Sequence, residues 1–195
     1  TQQKRQRVHK AVPMRFKRSD FKNDRIKIPW CHAGMVSCAT IFCHCKAMAL
    51  LESLKLPLGS SIVPFNLRDA DGHMVESENF KHAKVFVVVF MCNHCPYVQA
   101  VWPRLVDLQE KYKNNGVQFI GINPNLNPDY PEETPEKMKE YAARFHMNFP
   151  YLLDVTQEVA RAYKAQCTPD IYVYDQGRKL AYHGRIDDNW KEADK

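Results

Sequence analysis

The segment Lys84-Val-Phe-Val-Val-Val-Phe-Met-Cys92-Asn-His-Cys95-Pro96 constrains this chain more than any other stretch. Val85 to Phe90 is a short apolar run, β-branched or aromatic at every position. Such a run suits a strand buried on both faces, in the middle of a sheet covered by helices. From Pro96 onward the period changes. Val98, Val101, Trp102, Leu105, Leu108 and Tyr112 recur at three- and four-residue spacing, the apolar face of a helix. The Cys-x-x-Cys pair therefore sits where a central strand gives way to a helix N-terminus.

That position favours thiol chemistry. The thiolate is the nucleophile in disulfide exchange, and free backbone N–H groups and the helix dipole stabilise negative charge there. Cys92, nearer the strand end and expected to be the more exposed, is the candidate attacking sulfur. Cys95, about one turn into the helix, is the candidate resolving sulfur. His94 between them can lower the Cys92 pKa as a cation or as a hydrogen-bond donor. A structural pair of buried thiols, or half of a zinc site, remains open at this point. A zinc site normally calls for a second ligand pair nearby in sequence, and none follows.

Charge is distributed unevenly. Residues 1–28 hold ten of the 28 Lys/Arg and two of the 22 acids, so the remainder carries 18 basic and 20 acidic residues, net −2. The basic balance belongs to the first segment, and the rest makes no case for nucleic acid as a partner. Of seven cysteines, Cys31, Cys38, Cys43 and Cys45 crowd ahead of the apolar strand. An odd, clustered count is not the framework of a secreted disulfide scaffold, and with His32 and His44 it matches no standard zinc spacing. The basic segment has the charge of an organellar presequence with little Ser, and the Ala33–Ala49 stretch is a poor signal peptide. A cytoplasmic location is favoured, with an organelle open if the segment is a presequence. No apolar run reaches membrane-spanning length. Oligomeric state is left open.

The remaining elements follow in order. Ser61 to Leu67 reads as a strand with Asp71-Gly72 as a hairpin-type turn. Gly116 closes the first helix, and Val117 to Ile122 is the next strand, parallel to the first by a right-handed crossover. Asn123 to Pro135, rich in Pro, Asn and acids, reads as a surface loop. Thr134-Pro135 starts a helix with Met138, Tyr141, Ala142 and Phe145 on one face. Phe149 to Leu153 is a short strand, and Thr156 to Ala165 a short helix capped by Thr156. Ile171 to Tyr174 and Lys179 to His183 flank Gly177 as an antiparallel hairpin. At Cys167-Thr168-Pro169-Asp170 a proline stands at the mouth of a strand, and pattern alone favours the ordinary trans bond.

Taken together, Phe90-Met-Cys92-Asn-His-Cys95-Pro-Tyr, Gly121-Ile-Asn, Phe149-Pro-Tyr-Leu, Cys167-Thr-Pro169-Asp and Gly184-Arg-Ile-Asp-Asp resemble the thioredoxin superfamily. Within it the chain looks like the redoxin branch, named after alkyl hydroperoxide reductase and thiol-specific antioxidant. The resemblance covers roughly Met48 to Asn189. It implies a thioredoxin-like three-layer α/β/α sandwich with a mixed central sheet over residues 48–195. Residues 1–47 are then a disordered or mis-assigned extension. It also implies a thiol–disulfide oxidoreductase of cell redox homeostasis that needs no cofactor and acts on a disulfide-bearing protein or small thiol. Cys92 matches the family's attacking cysteine, Cys95 the resolving one, and Pro169 a cis-proline facing them. Thr168 would offer backbone groups to an extended substrate. The His before the second cysteine is similar to protein disulfide isomerase, which implies a more oxidising pair than thioredoxin's.

Departures from the family pattern shape the alternatives. Thioredoxin's buried acid falls on Phe86, so a proton must use His94, water or another group. The usual Trp is Met91. The Thr with which peroxiredoxins activate peroxide is Val89, which counts against the first rival, a thiol peroxidase whose Cys92 becomes a sulfenic acid. The family's final helix looks shortened or absent, leaving one sheet face under-covered. A second rival is metal delivery, with Cys92, Cys95, His94 and His183 holding copper or zinc. Cys167 is either a third redox thiol or a small core residue.

Overall fold

The computed structural model describes residues 54–126 and 130–186. The residue 1–47 extension, its cysteines and histidines, the Met48 start, Asp187–Asn189 and the family's final helix lie outside the described residues. Seven strands form one mixed sheet: β1 (Asn66–Asp69), β2 (Met74–Glu76), β3 (Val85–Phe90), β4 (Val117–Asn123), β5 (Tyr151–Leu153), β6 (Asp170–Tyr174) and β7 (Leu180–Gly184). Three helices accompany them: α1 (Pro96–Tyr112), α2 (Pro135–Arg144) and α3 (Glu158–Ala162). The strand order is β2-β1-β5-β4-β3-β6-β7, which puts β3 between β4 and β6. The β3–β4 and β4–β5 pairs are parallel, and the other pairs are antiparallel.

The strand alternation of β3 divides the core. Val87 and Val89 face α1 and α2, packing with Val101, Trp102, Leu105 and Met138. Phe86, Val88 and Phe90 point the other way, into a second core with Ile120, Leu152, Tyr163 and Tyr172. These are the three layers that the sequence leads one to expect. Among the described residues the second face is covered by α3, the 3₁₀ turn Ser77–Phe80 and the approach segment through Phe65. The helix α1 carries a buried Gln109, whose amide accepts from Phe119 N–H at 2.6 Å and donates to the Val117 carbonyl at 3.1 Å. Strand β5 pairs only with Gly121–Asn123 of β4. Gln109 thus serves polar backbone groups on the stretch of β4 that β5 leaves uncovered.

Several boundaries differ from expectation. The first strand begins at Asn66, and Ser61 keeps only an isolated bridge to Lys179. Pro64, inside the expected strand, has no N–H to give a ladder. The hairpin turn is at Asp71-Gly72 as expected, with Gly72 at φ +88 and the Asp69 carboxylate accepting from the Asp71 and His73 amides. The third helix is only Glu158–Ala162, with Gln157 rather than Thr156 at the N-cap position; the Thr156 hydroxyl accepts from Glu158 N–H at 3.4 Å. The next two N–H groups go to buried Asp154, which accepts from Ala160 at 2.7 Å and Val159 at 3.4 Å. By contrast Thr134 does cap α2, its hydroxyl accepting from Lys137 N–H.

Candidate active site

Strand β3 delivers the chain to Met91, whose N–H bonds the Ile122 carbonyl at 2.9 Å, and five residues later α1 begins. Cys95 is the N-cap of α1, not a residue one turn inside it, and Pro96 occupies the first helical position. Cys92 and Cys95 stand close enough for each to shift the other's ionisation. Both also meet Thr168: the Cys92 sulfur lies 3.1 Å from the Thr168 hydroxyl, and the Cys95 thiol donates to the Thr168 carbonyl at 3.3 Å. The Thr168–Pro169 bond is cis. The residue expected to offer backbone groups to a substrate therefore has its carbonyl engaged by the thiol of Cys95.

Neither sulfur is open to solvent. Cys92 is 1% exposed and Cys95 6%, the reverse of the expected order. The electrostatics follow the same order. Cys95 is pulled down to about 6 by the hydrogen bond from Cys92, against its own burial, with the Val98 and Tyr97 amides of the first helical turn and Thr168 also facing its sulfur. Cys92 is pushed well up, first by burial, then by the bond and charge of Cys95 and the charge of Glu133. In the resting dithiol the pair's first negative charge belongs on Cys95. Iodoacetamide should therefore alkylate the reduced protein about tenfold more slowly at pH 5 than at pH 7, the thiolate being lost as pH falls through about 6. A flat rate across that interval would contradict the assignment.

The loop between the cysteines is held by a residue the sequence did not single out. Glu133, 2% exposed, ends a 3₁₀ turn (Pro131–Glu133) and points inward. Its carboxylate accepts from Asn93 N–H (3.1 Å), His94 N–H (2.8 Å), His94 Nδ1 (2.6 Å) and Asn123 Nδ2 (2.7 Å). Asn93 is fully buried, donating to the Glu132 carbonyl and accepting from the Tyr151 hydroxyl at 3.1 Å. Burial and the nearby charges of Cys92 and Glu133 push the Tyr151 phenol well up, so it stays a donor. The His94 ring stacks on Tyr130, centroids 4.7 Å apart. The expected Asn123–Pro135 surface loop is in part an interior wall, with Asn123, Asn125 and Glu133 buried. A cue was available: Pro131 and Pro135 bracket the acids rigidly, and Thr134-Pro135 fixes where the turn must stop.

The other candidate residues separate. His183 is not with the cysteines; its Nε2 pairs with buried Asp170 at 3.0 Å and its ring stacks on Tyr172. The metal-capable group here is Cys92, His94 and Glu133, without His183. Cys167 is half-buried, near enough to oppose ionisation of Tyr172. Phe86, where thioredoxins carry an acid, is fully buried between Phe80, Phe65 and the Arg178 guanidinium. Val89 is fully buried hydrocarbon and gives a peroxide no hydrogen bond.

Residues 58–183 match the AhpC/TSA family model. A Geobacillus kaustophilus structure described as an uncharacterized conserved protein is 45% identical, covering 73% of this chain and 76% of its own, with a TM-score of 0.70. The thiol-disulfide oxidoreductase ResA of Halalkalibacterium halodurans is 28% identical over 126 residues, 64% of this chain and 67% of that protein. The thioredoxin domain of a thiol-disulfide oxidoreductase from Bacteroides vulgatus, 19% identical, superposes with a TM-score of 0.59 over 70% of this chain and 94% of its own, which speaks for the fold alone. The sandwich is thioredoxin-like in fold, and the chain belongs to the AhpC/TSA family.

Proposed function

We propose that this chain exchanges disulfides through Cys92 and Cys95, cycling between a dithiol and an intramolecular disulfide. The class of enzyme is that of its relatives, a thiol-disulfide oxidoreductase. The observation that carries the proposal is the meeting of the two sulfurs on one residue, Thr168, at the mouth of α1. Cys92 attacks the substrate disulfide, forming a mixed disulfide and releasing one substrate thiolate. Cys95, already the more acidic of the two, then attacks the Cys92 sulfur, and the second substrate thiolate leaves. Two electrons pass from the enzyme to the substrate, and in the reverse sense a substrate dithiol is oxidised. The substrate is a disulfide-bearing protein or small thiol. An extended segment laid beside Thr168 and Pro169 would add to the backbone there, once ionisation of Cys95 removes its thiol proton from the Thr168 carbonyl.

Equilibration with glutathione buffers of graded ratio, followed by acid quench and peptide mass mapping, tests the proposal. The expected result is one two-electron transition, with the Cys92–Cys95 disulfide as its product. A protein that keeps both thiols free in fully oxidised buffer, or pairs either with Cys167 instead, would reject it.

A further inference from the structure

Disulfide exchange needs somewhere to put a proton; β3 supplies no acid for it, and Asp170 of β6 is taken up by Tyr172 and His183. Phe86 fills the family's acid position with hydrocarbon, and an aromatic and guanidinium shell encloses it. Cys92 is the harder case. It is buried, and with Cys95 ionised beside it the second proton is costly to release into the site. Yet Cys92 must become a thiolate in order to attack.

Beside it the buried Glu133 carboxylate accepts from His94 Nδ1 at 2.6 Å. The Cys92 sulfur, a His94 ring nitrogen and a Glu133 oxygen all lie within 4.8 Å of one another. Glu133 is held from four directions, by two backbone amides, the Asn123 amide and the ring itself, so it cannot swing away. His94 is pinned as well, by that bond and by Tyr130. An imidazole so anchored to a carboxylate is the base arrangement of nucleophile–base–orienter sites.

We propose that Cys92, His94 and Glu133 form a proton relay, in which His94 takes the Cys92 proton as that sulfur attacks and Glu133 holds the resulting imidazolium. This rests on the dithiol reading above and adds the base it lacks. The balance closes. The Cys92 thiol proton moves to His94, the Cys92 sulfur bonds one substrate sulfur, and the substrate S–S bond breaks. The departing thiolate takes the proton back from His94. The Cys95 thiolate then bonds the Cys92 sulfur and expels the second substrate thiolate. Glu133 is a positioning residue here, since it acts through His94.

The sign of one shift tests this. A bare Glu133 anion beside Cys92 opposes ionisation, so removing it would ease thiolate formation. As the anchor of an imidazolium it favours the thiolate, so removing it would hinder formation. In a Cys95→Ser background, where Cys92 titrates alone among the pair, thiolate ultraviolet absorbance is followed against pH. Glu133→Gln is expected to move the Cys92 transition to higher pH by about one unit, about tenfold less thiolate at fixed pH. Glu133→Asp should recover much of that shift. Should Glu133→Gln fold poorly, His94→Gln leaves the backbone bonds to Glu133 in place and should move the transition the same way. A shift to lower pH, or no shift, overturns the relay. If instead Cys92→Ser in the otherwise native chain retains turnover, the dithiol reading itself falls, whatever Glu133 does.

Discussion

A Cys95→Ser protein is expected to trap its substrates covalently, while Cys92→Ser neither traps nor turns over. Once Cys92 has formed a mixed disulfide, release depends on attack by the neighbouring sulfur. A serine at Cys95 cannot break the bond, so the complex persists until an external thiol does. Non-reducing electrophoresis after incubation with a disulfide-bearing protein should give higher-mass bands in Cys95→Ser alone, cleared by dithiothreitol. Loss of the attacking sulfur should lower disulfide reduction by about a thousandfold or more. The structure makes this a contest. Cys92 is the more buried sulfur and the harder to ionise, while Cys95 carries the first negative charge. Bands in Cys92→Ser and none in Cys95→Ser would reverse the order, making Cys95 the nucleophile. Bands in neither would remove the exchange chemistry from this pair.

How much of this was legible beforehand varied with the physics involved. The β3–Cys92–x–x–Cys95–α1 unit was readable because a buried strand and an amphipathic helix have different periods, and the change of period falls on the cysteines. The parallel β4 followed from the length of the crossover. The environment of the sulfurs was not readable. Which sulfur is more shielded depends on the 3₁₀ turn 40 residues downstream and on Thr168, both distant in sequence. Glu133 was missed because acids and prolines in a run read as a solvated loop. Only the four donors converging on it, three from the active-site loop and one from β4, explain its burial. The same limit applied to Asp154, which joins Thr156 in serving the first-turn amides of α3 from four residues before that helix. His183 was placed near the cysteines by the metal-delivery alternative; the register Tyr172↔His183 commits it to Asp170 and Tyr172 instead.

The largest stability loss is expected from Trp102→Ala. This indole is fully buried on α1, stacked on Phe145 at 4.9 Å and set edge-on to Tyr151 at 5.5 Å, with Tyr141 beyond. Those partners come from α2, the segment after it and β5, so Trp102 joins three parts of the first core. Removing it should cost about 3–5 kcal/mol, the lost transfer energy plus that of a cavity whose aromatic walls close only in part. Its Nε1 is buried without a hydrogen-bond partner among the described residues, so Trp102→Phe removes an unsatisfied donor along with some contact area. That variant should lose less than about 2 kcal/mol, and urea unfolding of the two side by side measures the difference. The site should feel the larger substitution through one specific connection. Tyr151 braces Asn93 through its hydroxyl, and Asn93 fixes the loop between the cysteines. With the indole gone Tyr151 loses its edge contact, so reduced Trp102→Ala should show faster alkylation of Cys92 at conditions where the protein is still folded. Unchanged alkylation at matched stability would mean that the loop is held by Glu133 alone.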